Sequence, residues 1–263
     1  VLGARGYERR FARLAAASRW PHQRQSHAQG CGRSKNQFAG IAGAGLGITL
    51  HNDITTPYFV EYCNDEQADR WLPGIASGAL ITAIAMTEPS AGSDLQGIQT
   101  TALLGDDGHY RLRGSKSYIT NGWHADLVIV VAKTQPQAGA KGTSLFLLEA
   151  GTPGFTKGKP LHKLGLKAQD TCELFFDNVR VPVRNRIGEE GMGFIYQMKQ
   201  FQEERLDGAA RRLSAMALIQ ETADYLRQRQ AFGKPLLDNQ FIQYKLAELK
   251  TELEALRALI YVA

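Results

Sequence analysis

Between Ala85 and Asp94 the chain reads Ala-Met-Thr-Glu-Pro-Ser-Ala-Gly-Ser-Asp, where a run rich in β-branched residues gives way to small and polar ones. Small residues let a backbone come close to a ligand, and the hydroxyls of Thr87 and Ser93 could bond to it. Two other places carry groups suited to chemistry. Glu203 and Glu204, followed by Arg205, offer carboxylates that could move a proton. Arg229 offers a fork of donors matched to phosphate oxygens. Each also has an ordinary explanation: a Pro/Gly turn closing a strand, two solvated acids favoured near a helix N-terminus by its dipole, and a solvated charge on a helix.

The elements that must position these groups fall into a helical, then β, then helical order. From Phe38 to Gly78 the pattern is helical, with Ala-rich segments leading to His51-Asn52-Asp53 and with Glu66 to Leu72 ahead of an expected break at Pro73. Seven short strands are predicted at Ile81–Thr87, Gln99–Leu104, His109–Arg113, Ser117–Thr120, Leu127–Lys133, Ser144–Glu149 and Glu173–Val181. Gly105-Asp-Asp-Gly108 marks a hairpin between the second and third. Such spacing implies a sandwich or barrel rather than a parallel α/β sheet. Beyond Gly193 the apolar spacing turns helical, through Leu206, Ala210, Leu213 and Ala217 and again from Ile242 to Ile260. The second stripe runs into Leu259-Ile-Tyr-Val-Ala263 without a polar finish, so a continuation or a partner helix is expected to cover it.

Composition narrows the function classes. The chain has 263 residues, 43% hydrophobic and 22% charged, near globular averages. No apolar run is long enough to span a bilayer. Cys31, Cys63 and Cys172 form no CxxC pair or Cys/His cluster, so no metal site and no disulfide framework is indicated, and they read as reduced cysteines of a cytosolic or organellar protein. The net charge of +5 is misleading: residues 1–37 hold eight basic side chains against Glu8, a net +7, which leaves the remainder at −2. No basic stripe interleaved with aromatics exists there, and nucleic acid is not an expected partner.

The ligand loop is one of several ordered strings that together resemble the acyl-CoA dehydrogenases. The others are Tyr118-Ile-Thr-Asn-Gly122, Leu161-His-Lys-Leu-Gly-Leu-Lys-Ala-Gln-Asp-Thr171, Phe201-Gln-Glu-Glu-Arg-Leu206, and Arg227-Gln-Arg-Gln-Ala-Phe-Gly-Lys234 with Asn239-Gln240. Leu50-His-Asn-Asp53 and Glu66 to Pro73 fit the family's N-terminal helices, so the resemblance covers residues 38–263. It implies an α+β fold with an N-terminal helical part at 1–80, a central antiparallel β domain at 81–187 and an incomplete C-terminal helical bundle at 188–263. It also implies FAD as cofactor, with Ile84, Met86, Thr87, Gly92 and Ser93 lining the flavin and Tyr118, Ile119 and Thr120 against its ring. Arg229 and Gln240 match positions that reach the pyrophosphate and adenylate side of a neighbouring subunit's flavin, which implies a dimer or tetramer.

By the same resemblance Glu204 is the base that takes the α-proton of an acyl-CoA, while Ser93 and Arg205 contact that substrate. Adjacent helical residues point about 100° apart, so only one of Glu203 and Glu204 can face the flavin. The implied reaction is α,β-dehydrogenation to the trans-2-enoyl-CoA in fatty acid β-oxidation, of a long-chain or branched-chain type, with electrons passing to an electron-transferring flavoprotein. The compartment would be the cytoplasm of a bacterium or the mitochondrial matrix. A second reading is an inactive truncated remnant of such an enzyme. Two departures bear on it: Ser90 stands where the family's loop usually has glycine, and residues 1–37 lack its N-terminal helical pattern.

Overall fold

A computed structural model describes residues 42–262, so the divergent segment 1–37 lies outside the described residues. These fall into two compact units, 46–202 and 203–262 together with 42–45.

The first unit opens with helices. From Leu46 onward helix α1 (Ala42–Thr49) belongs to it, passing into a π-helical turn, Leu50–Thr55, and then α2 (Thr56–Tyr62). Thr55 and Thr56 fix that turn by donating their hydroxyls to the His51 carbonyl at 2.9 and 2.6 Å. Helix α3 (Asp65–Ser77) starts on a capping box in which Asn64 and Gln67 bond reciprocally, satisfying two otherwise orphaned donors. The expected break at Pro73 does not occur. The helix runs through it to a left-handed Gly78, because Pro73 lies on the exposed side, where the carbonyl its ring leaves unbonded can turn to water.

The strands are β1 (Thr82–Ala85), β2 (Thr101–Leu104), β3 (His109–Thr120), β4 (Leu127–Lys133), β5 (Thr143–Glu149), β6 (Phe155–Lys157), β7 (Thr171–Pro182) and β8 (Arg186–Ile187). They form one sheet in the order β6-β7-β3-β2-β4-β5-β8, with β1 paired to β4. The sheet is antiparallel except at β4, to which β1 and β2 both pair in parallel. The two strands expected at 109–113 and 117–120 are one strand. Gly114 joins them at a φ of 144°, so close to Thr100 that a Cβ there would lie 2.5 Å from its hydroxyl. The Gly105–Gly108 hairpin is present, with Gly105 donating to the His109 carbonyl at 2.8 Å.

Strand β4 explains why the sheet is stable. Its Leu-Val-Ile-Val-Val-Ala run is buried on both faces, as a strand with neighbours above and below requires. Val128, Val130 and Ala132 join Tyr110, Leu112, Phe146 and Phe176 in a core drawn from the sheet and its connecting loops. Leu127, Ile129 and Val131 pack with Phe59, Trp71, Leu72 and Ile75 of α2 and α3.

In the second unit lie the end of α4 (Gly193–Arg212), then α5 (Ala215–Gln228) and α6 (Gln240–Val262). The stretch read as one helix from Leu206 to Ala217 is interrupted after Arg212. Ala210, Leu213 and Ile260 form its small core. A two-stranded ribbon, β9 (Gln230–Ala231) and β10 (Lys234–Pro235), turns between α5 and α6 at Phe232-Gly233.

Ile129→Ala should lower the unfolding free energy by about 2–5 kcal/mol, through lost transfer energy and the cavity left in a site that cannot collapse. Leu103→Ala, at an exposed position on β2, should change it by less than about 0.5 kcal/mol. Urea melts of the two variants check the contrast.

Candidate active site

The ligand loop begins where β1 ends, and its shape is set by a charge pair. Glu88 and Ala91 exchange backbone hydrogen bonds at 2.8 and 3.1 Å, making a tight turn over Pro89-Ser90. The Glu88 side chain points inward. It accepts from the backbone N–H groups of Gln99 and Thr100 at 2.6 and 3.0 Å and from the Lys116 ammonium at 2.8 Å. Lys116 also donates to the Met86 carbonyl at 2.9 Å. Both side chains are buried, Lys116 completely. Burial pushes the lysine down to about 8, against the pull of Glu88. Burial alone would raise Glu88, but Lys116, Thr100 and Gln99 outweigh it and hold the carboxyl below its ordinary range.

Strand β3 brings the second string against this loop. The Ser117 N–H donates to the Thr87 carbonyl at 2.9 Å, so residues 84–93 and 118–120 are adjacent. Pairing with β7 steps from Lys116↔Leu174 to Ile119↔Cys172, three residues on β3 against two on its partner. That bulge carries Tyr118 at a φ of 60°, a strained conformation for a non-glycine residue, costing about 1–3 kcal/mol. Tyr118 as a whole is 69% exposed. Among the described residues the hydroxyls of Thr87, Ser93 and Thr120 take no hydrogen-bond partner. An exposed ring fixed at a cost in strain, beside uncommitted hydroxyls, suits a planar ligand with polar edges.

The remaining expected residues sort by placement. Ile84 and Met86 are half-buried against the helix-covered core, and Gly92 and Ser93 are exposed. The Ile119 side chain is buried in the sheet's own core, so its backbone is what it can present to a ligand. The Leu161–Thr171 string lies beside Tyr118–Gly122: Asn121 donates its N–H to the Asp170 carbonyl, and the Asp170 carboxylate accepts from Trp123 at 2.8 Å. Lys163 closes that string on itself through Gln169 and Thr171.

On α4, Gln197, Gln200 and Asp207 are buried and Glu204 half-buried, at spacings that put all four on one face, while Glu203 and Arg205 are exposed. Helix phase thus separates the two acids, with Glu204 on the more buried, polar side of α4. Glu204, Arg205, Arg229 and Gln240 all belong to the second unit. There Arg229 precedes the β9–β10 ribbon and Gln240 follows it, and Gln240 donates to the Tyr244 hydroxyl at 3.3 Å.

Sequence reasoning missed Glu88 and Lys116 as partners, although each stands inside a quoted string or next to one. It also missed Phe232, fully exposed at a φ of 56°. A bulky residue directly before Gly233 in a two-residue hairpin turn was the available signal, since such turns need positive φ at both positions.

Lys116→Met would leave Glu88 buried without its counter-charge and should cost about 3–5 kcal/mol at neutral pH. In the parent the Glu88 contribution is complete above the ordinary carboxyl value of 4.5 and is lost as pH falls through its depressed value. In the variant, burial raises that value instead, so the deficit should shrink on acidification. Thermal melts at neutral and acid pH measure it; a deficit independent of pH would contradict the pairing.

The family described as acyl-CoA dehydrogenase, middle domain, matches residues 83–179, and acyl-CoA dehydrogenase, C-terminal domain, matches residues 191–263. A long-chain specific acyl-CoA dehydrogenase of rat mitochondria is 51% identical over 220 residues, 82% of this chain and 51% of the relative. The chain therefore spans about half the length of that protein. A crystal structure of an acyl-CoA dehydrogenase from Geobacillus kaustophilus superposes with a TM-score of 0.80 at 40% identity, over 98% of this chain and 78% of the other. Another, from Bacillus anthracis and complexed with FAD, gives 0.85 at 30% identity, over 97% of this chain and 45% of the other. Two matching domains in sequence order and a shared fold place this chain in the acyl-CoA dehydrogenase family.

Proposed function

We propose that this chain binds FAD and carries the α,β-dehydrogenation of an acyl-CoA thioester to the trans-2-enoyl-CoA. The observation that supports this most is the Ser117–Thr87 hydrogen bond, which sets the ligand loop beside the strained, exposed Tyr118. Tyr118 offers a face to the flavin ring. Thr87 and Thr120 offer hydroxyls to its edges, where hydrogen bonds stabilise charge that develops on reduction. Ile84, Met86, Gly92 and the Ile119 backbone complete the lining, and Ser93 and Arg205 contact the acyl-CoA. FAD, when bound, supplies the acceptor for the β-hydrogen, which leaves as hydride. Glu204 takes the α-proton, and the electrons of that C–H bond enter the new double bond.

Arg229 and Gln240 serve the pyrophosphate and adenylate side of a second subunit's flavin, so the assembly is a homodimer or homotetramer. Electrons pass on to an electron-transferring flavoprotein. Long acyl chains are the proposed substrates, following the rat relative. No described helix is long and apolar enough to cross a membrane. Relatives come from mitochondria and from bacteria, and the matrix or the bacterial cytoplasm is the proposed compartment.

In an enzyme carrying this chain over the relatives' full length, Glu204→Gln should retain FAD and acyl-CoA but lose about 10²–10⁴-fold in kcat, with KM little changed. Glu203→Gln should stay near the parent. Anaerobic bleaching of the flavin by a saturated long-chain acyl-CoA reads both. A Glu204→Gln enzyme that bleaches at the parent rate would place the base elsewhere.

A further inference from the structure

Among the described residues, strand β1 pairs with β4 on one side only, and no strand pairs with its other edge. Thr82 stands at the start of β1 and is completely buried, so its N–H and carbonyl need partners at that edge. They find side chains. The Thr82 N–H donates to His51 Nδ1 at 3.1 Å, and the Thr82 hydroxyl lies 2.7 Å from the same nitrogen. The Thr82 carbonyl accepts from Asn121 Nδ2 at 3.4 Å. Because Nδ1 accepts, the imidazole proton sits on Nε2, which donates to the Ile75 carbonyl at 3.0 Å.

Both side chains are held in turn. His51 sits in the π-helical turn, whose threonine hydroxyls bond to its carbonyl, and Thr55 also bonds to the Thr82 hydroxyl. Asn121 takes a φ of 62° and donates to the Gly47 carbonyl at 2.9 Å. A Cβ at position 47 would lie 2.8 Å from Asn121 Oδ1, so any larger residue there must displace that amide. Asn121 directly follows Tyr118-Ile-Thr120, and Thr82 opens the strand that ends in the ligand loop.

We infer that His51 and Asn121 are positioning residues: acting through Thr82 in place of a missing strand, they set the two ligand-facing segments, 84–93 and 118–120, against one another. The inference rests on the proposed function only for what those segments bind; the positioning itself is a property of the ligand-free chain.

The test is hydrogen exchange on the ligand-free chain, with FAD titration by flavin fluorescence as a second readout. His51→Gln keeps a donor towards Ile75 and loses the acceptor for Thr82, whereas His51→Asn keeps an acceptor near Nδ1. Asn121→Gly retains the left-handed backbone and removes the amide, and Gly47→Ala displaces Asn121 without touching it chemically. Exchange in residues 84–93 and 117–120 should rise about tenfold or more in His51→Gln, Asn121→Gly and Gly47→Ala. It should stay near the parent in His51→Asn and be unchanged in Leu127–Lys133 throughout. FAD affinity should weaken in the same order. Unchanged exchange in either segment, an equal rise in Leu127–Lys133, or His51→Asn behaving like His51→Gln would each overturn the inference. An enzyme carrying this chain over the relatives' full length that binds no FAD, while the variants show the exchange pattern, would sink the proposed function and leave the positioning role standing.

Discussion

A lysine and a glutamate shut away from water govern the ligand loop. Taking two charges out of solvent costs several kcal/mol per ion, which their attraction offsets only with further hydrogen bonds to each. Glu88 meets that demand by drawing in the N–H groups of Gln99 and Thr100, and Lys116 meets it by reaching the Met86 carbonyl. The loop from Met86 to Thr100 is thereby tied to β3 at both of its ends. A turn of Pro89-Ser-Ala-Gly92 would otherwise have many conformations open to it. Here the entropy of ordering is met by the charge pair before any ligand arrives, which is the condition for tight recognition of a rigid cofactor.

The sheet supplies two further constraints on the same region. One is the bulge in β3, which lifts Tyr118 out of the ladder while Lys116 and Ile119 remain paired to β7. The other is the open edge of β1, closed by side chains from the first helices and from Asn121. Each departs from regular structure, and each lies within a few residues of an exposed group suited to a ligand. Irregularity is therefore concentrated where function is proposed, while β4 and β5, paired along seven residues, keep the framework stiff.

Much of the fold was legible because it is local. The run from Leu127 to Ala132 could be little else than a strand buried on both faces, and Gly105–Gly108 carried its own hairpin signal. Expectation failed where tertiary contact decides: α3 continues through Pro73, and β3 continues through Gly114 because that glycine lies against Thr100. Strands β6 and β8, of three and two residues, are too short to leave a pattern. At the site, the strings holding Thr87, Tyr118 and Glu204 were readable by family resemblance, and helix phase then separates Glu204 from Glu203. The Glu88–Lys116 pair was not readable, since its members stand 28 positions apart and each alone passes for a solvated charge. His51 and Asn121 were hidden for a different reason: most of what they bond to is backbone, and a backbone leaves no mark in a sequence.

In the proposed function the loop after β1 and the bulge at Tyr118 together seat a flavin ring. A crystal structure of the FAD-bound protein tests it most directly. The ring should lie against Tyr118, with its polar edges bonded by the segments 84–93 and 118–120 and the Lys116–Glu88 pair unmoved. Density for the ring away from both segments, or a loop rebuilt with the charge pair broken, would contradict it.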